Sequence, residues 1–306
     1  GINSSIGRCR CLSKNGAIDV ELLERQTVKG LIFTILLFFS IAVQATLVKV
    51  GLFNNESPGS ILVSQESGSY ELIFDDKIKI QLDSTAVYQI TLTADSIKVS
   101  TQGKNFGLFS KLAFVGTNAA VLKIKRLYPA KAAKLYPNNL FVEVQNSKLK
   151  CVNAVTLEKY VAGVVEMEAG PAQSAEYYKV QAIICRTYVL SNMRRHETEN
   201  YNVCDHVHCQ VYKGDNKLNK FIDLAALQTQ NLVLVDEKSE LITTAFHSNC
   251  GGQTCNSEDV WGLKKSYLRS VKDTFCLRQR NATWTKVVSK DQWDQYLKQY
   301  CKPCSG

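Results

Sequence analysis

Proline and methionine are scarce, 5 and 2 in 306 residues, and there is neither a low-complexity run nor a repeat period. Long disordered linkers and solenoid architectures are therefore excluded. Only 4 histidines occur, with no HExxH helix, so a zincin-type hydrolase is excluded. The GxSxG elbow of serine hydrolases is also missing. Although the net charge is +9, no ribonucleoprotein, zinc-finger or helix-turn-helix signature accompanies the basic residues, so nucleic acid is not the expected partner. No apolar run reaches the roughly 20 residues a membrane-spanning helix needs.

What is present describes a globular, exported chain. Hydrophobic residues make up 45%, and a pI near 8.9 favours an anionic partner such as an envelope polymer. Arg25 and Lys29 precede an apolar run from Leu31 to Ala45, broken only by Thr34, Ser40 and Gln44, and Ala42-Val43-Gln44-Ala45 is a small-residue cleavage pattern. Residues 30–45 thus read as a signal peptide, with a membrane anchor as the alternative, and residues 1–29 as an upstream segment absent from the mature protein. The expected location is extracytoplasmic, in the periplasm or cell envelope. Of the 11 cysteines, Cys9 and Cys11 lie upstream, leaving an odd set: Cys151, Cys185, Cys204, Cys209, Cys250, Cys255, Cys276, Cys301 and Cys304. Disulfides are allowed there, but an odd count leaves a free thiol or a metal site.

From about Ser60 to Val152 apolar residues alternate with period two, as in Ile78, Ile80 and Leu82, then Ile90, Leu92 and Ala94, then Leu140, Val142 and Val144. Turn signals fall at Asn105-Phe106-Gly107, Pro129 and Pro137-Asn138-Asn139. The period changes at Thr156, an N-cap, after which Leu157, Tyr160, Val161, Val164 and Val165 predict a helix ending at Gly170-Pro171. A second helix is expected from Ser174 to about Arg195, a third around Asp223 to Gln230, and a hairpin from Leu232–Val235 and Leu241–His247. The class is α+β, with a strand-rich domain over 46–135 and a mixed helix and sheet domain with a substrate groove over 136–306.

Glu168 follows Val161 by seven, Val164 by four and Val165 by three, which places it on the apolar stripe of the first helix, whereas Glu166 falls off it. A carboxyl so placed, near the negative end of the helix dipole, is suited to hold a proton as a general acid. The plainer alternative is a last-turn glutamate reaching water. Lys179 and Arg186, seven apart, form a cationic rail or a solvated basic face. Cys204, His208 and Cys209, with His196 or His206 as a fourth donor, suit tetrahedral zinc, and a Cys204–Cys209 disulfide is the competing account. His247-Ser248 and Gly251-Gly252 follow a strand, where a loop can meet a ligand.

Several of these segments together resemble the SpoIID/LytB family, named for stage II sporulation protein D. The likeness runs from about Leu140 to Asp273, through Val152 to Tyr160, Gly163-Val164-Val165 with Glu168, Lys179-Val180-Gln181-Ala182, Arg186-Thr187-Tyr188, Cys209-Gln210-Val211-Tyr212, His247-Ser248, Gly251-Gly252, Val260-Trp261-Gly262 and Tyr267-Leu268. The resemblance implies a peptidoglycan lytic transglycosylase that cuts between N-acetylmuramic acid and N-acetylglucosamine, preferring strands stripped of peptides. It puts the acid on Glu168, substrate or acid positioning on Lys179, Arg186 and Tyr267, and zinc in the Cys204–Cys209 loop. With the neighbouring motif residues, the expected substrate contacts are Lys179, Arg186, Tyr188, Gln210, Tyr212, His247, Ser248, Gly251, Gly252 and Tyr267, and the expected ligands of a structural zinc are His196, Cys204, His208 and Cys209. Where the family has Met-Pro after the acid, this chain has Ala169-Gly170-Pro171. The alternative expectation is a non-catalytic glycan-binding activator of a cell-wall amidase.

Overall fold

The computed structural model describes residues 10–11, 46–117, 119–215, 219–279 and 282–300. The expected signal at 30–45 and the Cys301/Cys304 pair lie outside them. Among the described residues no helix is long and apolar enough to cross a membrane.

The fold is α+β, with strands first and helices later. In order come β1 (Arg10–Cys11), β2 (Leu47–Leu52), β3 (Ser60–Ser67), β4 (Tyr70–Phe74), β5 (Ile78–Gln81), β6 (Val87–Thr93), β7 (Ser96–Thr101), β8 (Lys104–Phe109), β9 (Lys111–Gly116), β10 (Val121–Arg126), β11 (Lys134–Pro137), β12 (Asn139–Gln145) and β13 (Lys148–Thr156). Then follow α1 (Leu157–Ala169), α2 (Ala175–Ser191), β14 (Val203–Cys204), α3 (Lys220–Gln228), β15 (Leu234–Val235), α4 (Ser257–Trp261) and α5 (Lys290–Tyr300). The chain divides into two units, Cys9–Thr244 and Ala245–Gly306 with Gly1–Arg8.

In the larger unit, a six-stranded sheet (β11-β10-β3-β6-β7-β8) packs on a seven-stranded one (β14-β2-β13-β12-β9-β4-β5). The period-two alternation supplies the shared core: Ile61, Val63, Ile90, Ile97, Val99, Phe114, Leu140 and Val142 are all buried. Two expected members are exposed: Ile78, at 57%, because β5 is an edge strand, and Ala94, because it sits in the β6–β7 turn at φ 52°. The expected turn at Asn105-Phe106-Gly107 is instead a bulge within β8, with Gly107 at φ 114° and Phe106 stacked 5.8 Å from Phe74. The expected 135/136 boundary falls inside β11, and β13 pairs with β2 from Thr156↔Leu47 to Cys151↔Leu52, so the sheets run through it. Period-two alternation reports which face a residue is on but not which strand it pairs with, so it could not see this.

Strand β13 is buried on both faces from Cys151 to Val155, one face meeting the sandwich core and the other the helices. It runs directly into α1, which packs on β13, β2, α2 and α3. The bounds of α1 and the start of α2 match expectation: Thr156 is the N-cap, Gly170 closes the C-terminus at φ 70°, and Ser174 caps α2 by accepting from Tyr177 N. Helix α2 ends at Ser191, short of Arg195, and α3 starts at Lys220, ahead of Asp223. The hairpin is shorter than expected, reduced to β15 and a bridge between Val235 and Leu241.

Candidate active site

Helix α1 is buried without interruption from Tyr160 to Glu166, because sheet and helices surround it. This corrects the stripe argument: Glu166 is the buried carboxylate, and Glu168, one turn-end further, is half-buried. Spacing on a helix predicts burial only when one face meets the core, and α1 is enclosed on several. Glu168 Oε1 accepts a hydrogen bond from Val211 N at 3.1 Å, which fixes the carboxylate at the mouth of the α1–α2 turn.

The segment that provides this bond is a hub. Gln210 accepts from Tyr160 Oη at 3.3 Å, and Tyr212 Oη donates to Asn153 Oδ1 at 2.9 Å. Asn153, buried in β13, donates in turn to Pro137 O and Asn139 O. Tyr212 also packs 5.2 Å from Tyr160, and Gly163 leaves room for its ring: a Cβ there would meet Gly214 O at 2.6 Å and Tyr212 Cε2 at 2.7 Å. Gln210 and Tyr212 are therefore core residues that hold the backbone of Val211, rather than groups facing solvent.

Immediately before this hub lie the soft donors. His196, Cys204, His208 and Cys209 offer four ligand atoms within 4.8 Å of one another. Cys209 Sγ is 3.4 Å from His196 Nε2 and 3.7 Å from His208 Nδ1, and Cys204 Sγ is 3.8 Å from His208 Nδ1. Adjacent donors around tetrahedral zinc stand about 3.3–3.8 Å apart, so the set fits the ion. Glu199 Oε2 lies 2.5 Å from His196 Nδ1, the outer carboxylate that commonly orients a metal-bound imidazole. His196, not His206, completes the four, and Cys204 and Cys209 are unbridged thiols. The Cys204 thiol is lowered to about 4, chiefly by the hydrogen bond from Cys209, whose own thiol is pushed up. Burial instead pushes Cys151 and Cys185 up to about 12, so these two are inert core thiols. Tyr188 is half-buried beside the donor cluster, and burial raises its hydroxyl.

The cationic rail is not formed. Arg186 is 1% exposed and spends its guanidinium inside the protein: Nε donates to Glu158 Oε1 at 3.0 Å, Nη2 to Glu158 Oε2 at 2.5 Å and to Ala226 O at 2.9 Å, and Nη1 to Leu232 O at 3.2 Å. Lys179 pairs at the surface with Glu176 at 2.7 Å. A period of seven put both on one helix face, but α3 and the approach to β15 cover the Arg186 turn and leave Lys179 partly exposed. Glu158 was the missed partner, sitting in the first turn of α1.

His247, Ser248, Gly251, Gly252 and Tyr267 belong to the smaller unit, so they are not assembled with Glu168 in one unit. His247 and Ser248 are exposed, Tyr267 is half-buried, and the two glycines take φ of 68° and 104°. An Arg269–Glu258 ion pair ties α4 to the following loop.

An α+β sandwich that carries, at one end of its larger sheet, a helix-terminal glutamate backed by a Cys/His clip is the class of protein these features define. Residues 145–235, the stretch holding Glu168, Arg186 and the clip, match the family model SpoIID, stage II sporulation protein. It is 34% identical over 143 residues to the amidase enhancer of Bacillus subtilis, covering 47% of this chain and 19% of that protein. To the stage II sporulation protein D of Bacillus subtilis it is 28% identical over 182 residues, 54% of this chain and 52% of that one. An uncharacterized protein of Brachyspira hyodysenteriae is 30% identical over 166 residues, 54% of this chain and 45% of that protein. The chain thus spans about half or less of the length of these relatives.

Proposed function

We propose that this chain is an exported peptidoglycan lytic transglycosylase that cleaves MurNAc–GlcNAc bonds of peptide-stripped glycan strands and leaves 1,6-anhydroMurNAc ends. The observation that carries the reading is Glu168: a half-exposed carboxylate at a helix end, fixed by the Val211 N–H within the family-matched segment.

One carboxylate suffices for this chemistry. Glu168 in its acid form gives its proton to the glycosidic oxygen as the bond to the muramoyl anomeric carbon breaks, releasing the GlcNAc hydroxyl. The muramoyl 6-hydroxyl then closes on the anomeric carbon and returns a proton to Glu168. No water is consumed, which distinguishes this from glycosidases built on two carboxylates. His196, Cys204, His208 and Cys209 would hold zinc as a structural clip. Its contribution is rigidity: Cys209 is two residues from the Val211 amide that aims Glu168.

A second reading is favoured by the amidase enhancer among the relatives: a glycan-binding activator of a cell-wall amidase without cleavage of its own. Incubating the purified chain and Glu168→Gln with peptide-free glycan strands, followed by mass spectrometry, separates the two. Anhydro ends from the parent and none from the variant support the lyase. Binding without product, with stimulation of an added amidase, replaces it by the activator.

A further inference from the structure

We propose that Cys250, Asp273 and Cys276 form a second soft-metal site, suited to zinc, in the unit Ala245–Gly306 and independent of the Cys/His clip. Asp273 Oδ2 lies 3.4 Å from Cys250 Sγ and 3.3 Å from Cys276 Sγ, and the three donor atoms fall within 4.8 Å of one another. Zinc bonds of about 2.3 Å to sulfur and 2.0–2.2 Å to oxygen put neighbouring S and O donors about 3.6 Å apart, so a small relaxation accommodates the ion.

The frame that gathers these donors does not depend on the thiols. Asp273 N donates to Gly252 O at 2.9 Å, Asn249 Nδ2 to Cys276 O at 3.1 Å, and Gly251 N to Asn249 Oδ1 at 2.7 Å. Phe275 N occupies Asp273 Oδ1 at 3.0 Å, leaving Oδ2 to face both sulfurs. Positive φ at Gly251 (68°) and Gly252 (104°) turns the first segment of this frame, a backbone conformation that glycine takes without strain.

A carboxylate oxygen shared almost equally by two sulfurs favours a cation between them over a disulfide. A disulfide has no proton to offer that oxygen, and the carboxylate gains nothing by facing it. The three groups are half-buried, so an ion can enter from solvent. With three protein donors the fourth position is left to water, and the ion is held less tightly than at the four-donor clip. Bound, it fastens the loop carrying Gly251-Gly252 to the Asp273–Cys276 turn.

The test is metal stoichiometry of the full chain, stripped with chelator under reducing conditions, reloaded with a slight excess of Zn2+ over two equivalents and freed of unbound metal by gel filtration. Elemental analysis is expected to lose one equivalent per chain on going from the parent to Cys250→Ser/Cys276→Ser, while Cys204→Ser/Cys209→Ser keeps that equivalent. Asp273→Asn, which preserves size and fold, should weaken the second equivalent by at least about 10-fold, since even outer-sphere losses cost that much. With Co2+, the sulfur-to-cobalt absorption should fall in the Cys250→Ser/Cys276→Ser protein. Equal metal content in that variant and the parent overturns the site, as does recovery of a Cys250–Cys276 linked peptide from chain isolated without reductant.

Discussion

Replacing Arg186 with methionine should unfold the larger unit far more readily without any first effect on glycan affinity. The guanidinium is 1% exposed, and its Glu158 partner is also largely buried, at 17% exposure of the side chain. The substitution leaves the Glu158 carboxylate without its bidentate partner and takes a donor away from Ala226 O and Leu232 O. Removing one member of a buried ion pair costs about 3–5 kcal/mol, because the desolvation of the other is no longer compensated. For a unit of this size each kcal/mol lowers the melting temperature by roughly 2–4 °C, so a drop of roughly 6–20 °C is expected in circular dichroism melts. Glu158→Leu/Arg186→Met should recover much of the loss, since an apolar pair demands no compensation. Lys179→Ala, which removes an exposed i,i+3 pair, should shift stability by less than about 1 kcal/mol. If Arg186→Met instead melts with the parent and weakens glycan binding, Arg186 is a ligand contact and its assignment as a staple fails.

Three further outcomes are expected. Gly163→Ala should destabilise by about 1–3 kcal/mol, read as a lowered urea midpoint, because its methyl would press on the Tyr212 ring and Gly214 O. Chelation of a zinc-loaded clip, or Cys209→Ser, should raise hydrogen exchange at the Val211 amide and cut glycan cleavage together; protection unchanged in the metal-free protein would uncouple clip from acid. Pairing with Arg269 lowers Glu258 to about 2, so its contribution to the smaller unit is complete above the ordinary glutamate range near 4.3 and is lost as pH falls toward 2. A carboxyl NMR titration should find that low midpoint in the parent, and Arg269→Gln should return it to the ordinary range.

Local chemistry was legible in the sequence. The helix from Thr156 to Gly170, the cap at Ser174, the alternation of Ile90, Leu140 and Val142, and the soft donors Cys204, His208 and Cys209 follow from spacing, because turns, periods and ligand loops are written over a few residues. The choice of His196 over His206 needed the structure. The motif likeness to the SpoIID family was legible for the same reason.

What spacing could not decide was who faces whom. Only the packed structure shows that α1 is enclosed on several sides, so Glu166 is buried deeper than Glu168. It also shows that Arg186 is claimed by Glu158, 28 residues away, and that β2 pairs with β13 across about a hundred residues. Likewise, Cys250 meets Cys276 through Asp273. Sequence period fixes the direction of a side chain relative to its own helix or strand. Which charge or thiol waits in that direction depends on long-range packing, since burying a guanidinium or gathering two sulfurs is stable only once distant segments supply the partners.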